Sequence, residues 1–315
     1  MKVAAIQMVS SPTLQTNLNN AQALLTEAAQ QGCELAVLPE YFCLLGTRDT
    51  DKLGIQEVYG KGVIQQFLSD AARGLGLWIV GGTLPLSIGK GDAEGGSEPA
   101  NDRAVDFPVD FPVDFAVDLA GEGVAKEVKQ GAARGSRVYN SSLVFSPAGD
   151  CVARYDKIHL FRFDNGQERY DESRVLQPGH QPVTFELASR DGSTWRIGMS
   201  ICYDLRFPEL YRGYARAGVD LLLVPSAFTH TTGQAHWEVL LRARAIENQA
   251  FVVAAAQGGL HENGRRTWGH TLLVDPWGSV MAQKPDGAGV VCEDLSLALR
   301  GQCRAKMPAL AHCVL

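Results

Sequence analysis

The sequence predicts an α/β fold, and three observations carry that expectation. Short runs rich in Val, Ile and Leu recur along the chain, segments with helical spacing of apolar residues lie between several of them, and some runs are apolar almost throughout, as in Val219-Asp220-Leu221-Leu222-Leu223-Val224. Continuous apolar strands belong to sheets covered on both faces, and strands alternating with helices build such sheets.

In chain order, the first strand is expected at residues 2–9, followed by helical periodicity over 16–31. A second strand, 34–39, is stopped by Pro39, which cannot extend a ladder. A helix over 62–75 leads to a strand at 77–84, and another strand is expected at 139–146. The run 196–202 reads as a buried strand that turns near Pro208 into a helix over 207–217. Strands at 219–225, 251–257 and 271–275 surround a helix over 234–248.

One stretch, about 92–137, breaks the pattern with Gly, acidic residues and simple repeats. Its centre reads VDFP-VDFP-VDFA-VDLA over 105–120. A period of four fits neither a strand nor a sustained heptad, and two prolines interrupt it. The expectation is a solvated low-complexity insertion in a single domain spanning 1–315; a lid or docking strip presenting Phe107, Phe111 and Phe115 is the other reading.

The 315 residues are 45% hydrophobic and 20% charged, the profile of a soluble globular protein. A formal net charge of -6 without a Lys/Arg cluster argues against a nucleic-acid partner. No apolar run approaches the roughly 20 residues that span a bilayer, and the start of the chain enters a strand pattern rather than a signal-peptide core. No membrane association and a cytoplasmic location are therefore expected. Seven scattered cysteines form no C-x-x-C pair, so neither a disulfide framework nor a zinc site is indicated, and a reducing compartment fits best.

Cys202 closes the strand at 196–202, the sheet end at which ligands bind in open α/β folds, and the helix that follows would favour a thiolate. A lone cysteine in an apolar strand is ordinarily an inert core thiol, but Tyr203, Asp204 and Arg206 crowd this one with polar groups. Glu40 follows the strand that Pro39 ends, where acids also serve as helix caps, and Lys157 by itself reads as a surface lysine. His159, His236 and His270 could offer a base for a Cys-His pair.

Taken together, Leu38-Pro39-Glu40-Tyr41-Phe42, Tyr155-Asp156-Lys157-Ile158-His159-Leu160-Phe161 and Ile201-Cys202-Tyr203-Asp204-Leu205-Arg206-Phe207-Pro208-Glu209-Leu210 resemble the nitrilase, or carbon-nitrogen hydrolase, superfamily. Its catalytic Glu, Lys and Cys occur in this order. The resemblance continues through 225–248 and 269–278 and covers nearly the whole chain outside 92–137. It implies a four-layer αββα sandwich, a homodimer, and an amidase without metal or organic cofactor. Cys202 would attack the amide carbonyl, Glu40 would move the protons, and Lys157 with the backbone N–H of Tyr203 would stabilise the oxyanion. A fourth residue, which orients the lysine, is matched by Glu172 in Tyr170-Asp171-Glu172-Ser173, while the unusual 162–168 segment leaves Glu168 as a competitor. Arg206 matches an arginine that pairs with a substrate carboxylate, against an ion pair with Asp204 or Glu209, and Thr232 is a further substrate contact. Ala235-His236-Trp237-Glu238 and Val253-Ala254-Ala255-Ala256-Gln257 look most like the deaminated-glutathione amidases. The alternatives are an ω-amidase acting on α-ketoglutaramate and a catalytically silent scaffold that binds a partner.

Overall fold

In β1 (Lys2–Gln7) buried side chains alternate between two apolar layers, Val3 and Ala5 entering one, Ala4 and Ile6 the other, as the strand period of two requires. A strand covered on both faces lies in the middle of a layered structure. The computed structural model describes residues 1–89, 137–166 and 168–314.

Helix α1 (Leu14–Gln30) leads from β1 to β2 (Leu35–Val37), and α2 (Val63–Leu75) leads on to β3 (Trp78–Val80); the three strands pair in parallel. β4 (Leu84–Ser87), β5 (Val138–Phe145) and β6 (Cys151–Asp156) add antiparallel pairs. The single strand expected over 77–84 is divided between β3 and β4. Gly81 and Gly82 interrupt it, Gly82 with φ +49°, and a Cβ there would run into the carbonyl oxygen of Pro39. A small hairpin, β7 (Arg162–Asp164) and β8 (Arg169–Asp171), precedes β9 (Leu176–Gln177), which pairs with β5.

The second sheet repeats the first half's plan. β10 (Thr184–Ala188) pairs antiparallel with β11 (Thr194–Met199), and α3 (Pro208–Arg216), β12 (Leu221–Leu223), α4 (His230–Asn248) and β13 (Phe251–Ala254) continue in parallel order. After the hairpin β14 (Gly258–Leu260) and β15 (Arg266–Trp268), β16 (Thr271–Val274) and β17 (Val280–Lys284) complete this sheet. β18 (Gly289–Asp294) returns to pair with β1, and α5 (Leu297–Lys306) follows. The strand orders are β18-β1-β2-β3-β5-β4 and β10-β11-β12-β13-β16-β17.

Helices α1 and α2 cover the outer face of the first sheet with Leu18, Leu25, Ile64 and Leu68. Between the sheets Val37, Val80 and Val144 join one cluster with Phe185 and Ile197, and Trp78 stacks on Phe185 at 6.5 Å. Tyr211, Tyr214 and Trp237 of α3 and α4 cover the far face; Tyr214 lies directly over Gly198, where a larger residue would crowd it. The result is the expected αββα sandwich. Each fully buried large apolar side chain contributes roughly 1.5–3 kcal/mol relative to exposure, so the two sheets are held firmly face to face. The insertion expected over 92–137 falls, apart from Arg137, outside the described residues. Among the described residues no helix is long and apolar enough to cross a membrane.

Candidate active site

Glu40, Lys157 and Cys202 follow the ends of β2, β6 and β11, and packing of the two sheets brings these ends together. Glu40 is 1% exposed. Its Oε1 accepts hydrogen bonds from Lys157 Nζ at 2.9 Å and Asn140 Nδ2 at 2.9 Å, and its Oε2 accepts from the backbone N–H of Ala227 at 3.0 Å. Gln257 Nε2 donates to the Glu40 carbonyl at 3.0 Å. The next residue, Tyr41, has φ +57°, a conformation secured by its N–H donating to Thr83 Oγ1 at 2.8 Å.

Cys202 is also left-handed, with φ +49°. Such a conformation costs on the order of 1–3 kcal/mol in a non-glycine residue and persists only where its surroundings impose it. Here the Cys202 N–H donates to Pro225 O at 3.0 Å, and Asp204 Oδ2 takes the N–H of Ile201 at 2.8 Å. Asp204, fully buried, reaches further: Tyr155 OH donates to Oδ2 at 2.7 Å, and the His159 N–H donates to Oδ1 at 3.0 Å. Those two residues flank Lys157. One carboxylate thus pins the Cys202 turn to the Lys157 segment, a role the sequence does not announce. The rings of His159 and Phe207 stack at 3.6 Å and Tyr203 meets Phe161 edge-on at 5.2 Å, closing the same joint.

Lys157 donates to Glu172 Oε2 at 2.8 Å as well as to Glu40, so one ammonium bridges two carboxylates. Glu172 also accepts from Tyr41 OH at 2.8 Å and from the Phe161 N–H at 2.7 Å. Its competitor Glu168 lies elsewhere, its carboxylate 3.4 Å from Thr231 Oγ1.

Burial pushes Glu40 above the usual carboxylate range, with Lys157 pulling the other way. Burial also opposes the ionised form of Glu172, but Lys157 and Lys52 outweigh it and hold that carboxyl low. Burial disfavours the charge on Lys157 too, yet Glu172 and Glu40 overcome it and keep the ammonium well above the ordinary lysine range. For Cys202 burial raises the thiol well above its usual value, and the charge of Glu40 adds to that. The helix-assisted thiolate expected from sequence is therefore not the resting form. A protonated thiol sharing the cleft with Glu40 is the outcome. Such a pair can transfer the thiol proton as the sulfur attacks an electrophile.

Glu40, Glu172 and Cys202 line an open cleft of about 690 Å³, together with Tyr41, Phe161, Thr229 and Lys52. The expected substrate-binding residues are differently placed. The guanidinium of Arg206 lies over the rings of Tyr203 and Phe228, and Nη1 is 3.2 Å from His236 Nδ1. Neither Asp204 nor Glu209 pairs with it; the first is already engaged at the Cys202 turn. Thr232 sits in the first turn of α4, its N–H donating to Thr229 Oγ1 at 3.3 Å, and it is Thr229 that reaches the cleft. The side chain of Tyr203 packs among aromatics, leaving only its backbone available for the expected contact. The histidine rings find partners other than Cys202: His159 Nδ1 at Asp204, His236 Nδ1 at Arg206 and His270 Nδ1 at Trp268 O. Among the described residues no three His, Cys, Asp or Glu side chains converge as a metal site.

The carbon-nitrogen hydrolase family matches this chain over residues 2–98 and 117–305. The deaminated glutathione amidase of Synechocystis sp. (strain PCC 6803 / GT-S) is 36% identical over 99% of this chain and 97% of its own. The omega-amidase NIT2 of Xenopus tropicalis is 31% identical over 98% of this chain and 92% of its own. Among solved structures, the NitFhit protein of C. elegans superposes with a TM-score of 0.76 at 30% identity, covering 99% of this chain and 65% of that longer one.

Proposed function

This chain belongs to the carbon-nitrogen hydrolase family and is an amidase, and we propose that it works through a Cys202 thioester on a small carboxylate-bearing amide, deaminated glutathione above all. The observation that supports the mechanism most directly is the convergence of Cys202 and Glu40 on one cleft, with Glu40 joined through Lys157 to Glu172.

In this reading Sγ attacks the carbonyl carbon while Glu40 takes the thiol proton. The oxyanion is met by the Lys157 ammonium and the Tyr203 backbone N–H, donors of a kind often worth about 3 kcal/mol each. Collapse breaks the C–N bond, and Glu40 returns the proton to the departing amine or ammonia. Glu40 then deprotonates a water molecule that attacks the thioester, releasing the acid and restoring the thiol. Glu172 fixes the lysine between both carboxylates. The reaction needs no metal or organic cofactor.

The substrate rests on the relatives: amidases named for deaminated glutathione reach 36% identity, against 31% for the omega-amidase. We therefore expect deaminated glutathione to have the highest kcat/KM in a panel with α-ketoglutaramate, neutral amides and aliphatic nitriles, with product release measured directly on one preparation. A tenfold advantage for α-ketoglutaramate would establish the ω-amidase alternative instead. The silent-scaffold reading finds no support in a site that brings Glu40 and Cys202 to one cleft with Lys157 bound to Glu40.

The domain is read as continuous over 1–315, the family match being interrupted only at 99–116. Free thiols at Cys33, Cys43, Cys151 and Cys202 suit a cytoplasmic setting. A homodimer is supported by exposed Val239 and Ile246 on α4, beside exposed Trp277 in a turn and Val280 at the start of β17, the turn being tied to the helix by Arg242 through Gly278 O at 2.7 Å. An apolar patch of this kind marks an interaction surface. Sedimentation equilibrium is expected to give twice the chain mass, and Trp277→Glu to shift it toward one; a monomeric wild type would sink the assignment.

A further inference from the structure

We propose that Cys33 and Cys292 form a redox modification site, a dithiol that a low-molecular-weight disulfide oxidises to a crosslink fastening β18 to the turn between α1 and β2. The two residues are far apart in the chain, yet their sulfurs stand 3.1 Å from each other, Cys33 Sγ donating to Cys292 Sγ. Other cysteines turn their sulfurs to oxygen at longer range, Cys43 to Thr83 O at 3.5 Å and Cys151 to Tyr59 OH at 3.7 Å. The fold brings the pair together. β1 is central, with β2 parallel on one side and β18 antiparallel on the other, where Cys292 stands opposite Ala4. Cys292 packs against the outer apolar layer that contains Cys33, whereas Cys202 belongs to the layer between the sheets. The dithiol is therefore separate from the reacting groups.

The two thiols are unequal, and the inequality sets an order of attack. Cys33 is fully buried, while Cys292 is half-buried and can meet a reagent. The hydrogen bond from Cys33 holds Cys292 below the usual thiol range; burial, Glu27 and Glu293 oppose this, and Lys2 assists it. The same bond, followed by burial, pushes Cys33 up, with Asp294 adding to the rise and Lys2 working against it. The thiolate is the nucleophile in thiol–disulfide exchange, so Cys292 attacks first. Its sulfur bonds to one sulfur of a disulfide RSSR, whose S–S bond breaks and expels RS⁻. Cys33 then gives up its proton and attacks Cys292 Sγ, and the second RS⁻ leaves. The two protons lost by the protein are taken up by the two RS⁻, so two protein thiols are oxidised and one RSSR is reduced to two RSH. The second step needs no access from solvent, because the sulfurs already touch. In a reducing compartment the pair rests as thiols, and disulfides formed there are commonly transient and redox-sensing. The crosslink closes most of the chain into one loop, which restricts the unfolded state and so stabilises the fold.

The test incubates the full-length protein with glutathione disulfide, alkylates the remaining thiols after unfolding, and maps the peptides by mass spectrometry. In the wild type the Cys33 peptide is expected to be joined to the Cys292 peptide, and dithiothreitol should release it. Cys33→Ser should instead trap glutathione on Cys292, and Cys292→Ser should leave Cys33 unmodified. The oxidised wild type should melt about 5 °C or more above its reduced form, a shift that both serine variants lack. Glutathione retained on Cys292 in the wild type, or both residues recovered as alkylated thiols, would overturn the dithiol site. Modification of Cys33 in Cys292→Ser would overturn the order of attack, and a crosslink that leaves the melting midpoint unmoved would overturn the fastening of β18.

Discussion

Cys202→Ala is expected to lower kcat by at least about ten-thousandfold while the protein stays folded, the scale seen when a covalent nucleophile is removed. Without Sγ no thioester can form, and Glu40 and Lys157 have no reacting atom to serve. The fold has little at stake, because the turn is imposed by backbone and Asp204 hydrogen bonds that a methyl side chain leaves in place. Circular dichroism and the melting midpoint should therefore stay close to wild type. Iodoacetamide should inactivate the wild type in step with alkylation of Cys202. Near-wild-type turnover in a sequence-verified Ala variant would end the assignment of Cys202 as nucleophile.

The second large effect is expected at the groups that serve the thiol. Glu40→Gln removes the proton carrier and should cost about 10²–10⁴ in kcat. Lys157→Met should be as damaging and should also destabilise the protein, because Glu40 and Glu172 would face each other inside the molecule without their common cation. Stripping one partner from a buried charge cluster typically costs about 3–5 kcal/mol. Glu172→Gln weakens the same cluster, whereas Glu168→Gln, remote from Lys157, should be mild; the reverse order would show that the fourth residue is misassigned. The wild-type pH profile should carry the mark of Glu40. Burial raises its pKa, so activity should fall on acidification at a pH above the usual carboxylate range. An acid limb at an ordinary glutamate pKa would count against Glu40 as the base.

Much of this was legible in the sequence because it is local. The parallel strands are short apolar runs, their crossover helices are amphipathic, and Pro39 and Pro208 mark where strand gives way to turn or helix. The three candidate residues Glu40, Lys157 and Cys202 stood out as three motifs, each following the end of a strand. Other features depend on partners far away in the chain. β10 and β18 are edge or returning strands with weak patterns of their own, given a place only by pairing with β11 and β1. The sequence reading assigned Arg206 to substrate, but its packing over Tyr203 and Phe228 and against His236 depends on segments far apart in the chain and has no signal of its own. Asp204 carries no distinguishing signal; its four-point grip appears only when the Lys157 and Cys202 segments meet.

The division of the reacting groups between the sheets has a consequence for what the protein can tolerate. Glu40 and Lys157 are carried by the first sheet, Cys202 and Ala227 by the second, so the span between the proposed nucleophile and its proposed base is a registration distance between two separate layers. Nothing in either layer alone sets it. It is set by the thickness of the filling between them, by side chains such as Val37, Val80 and Ile197 that never meet a substrate. Because a misplacement of about 1 Å can cost 10²-fold in rate, a methylene added to that filling acts as a shim under one jaw of a vice. The enzyme's precision is therefore stored in its most anonymous residues, and drift in the size of a core valine or isoleucine would detune catalysis before it threatened the fold.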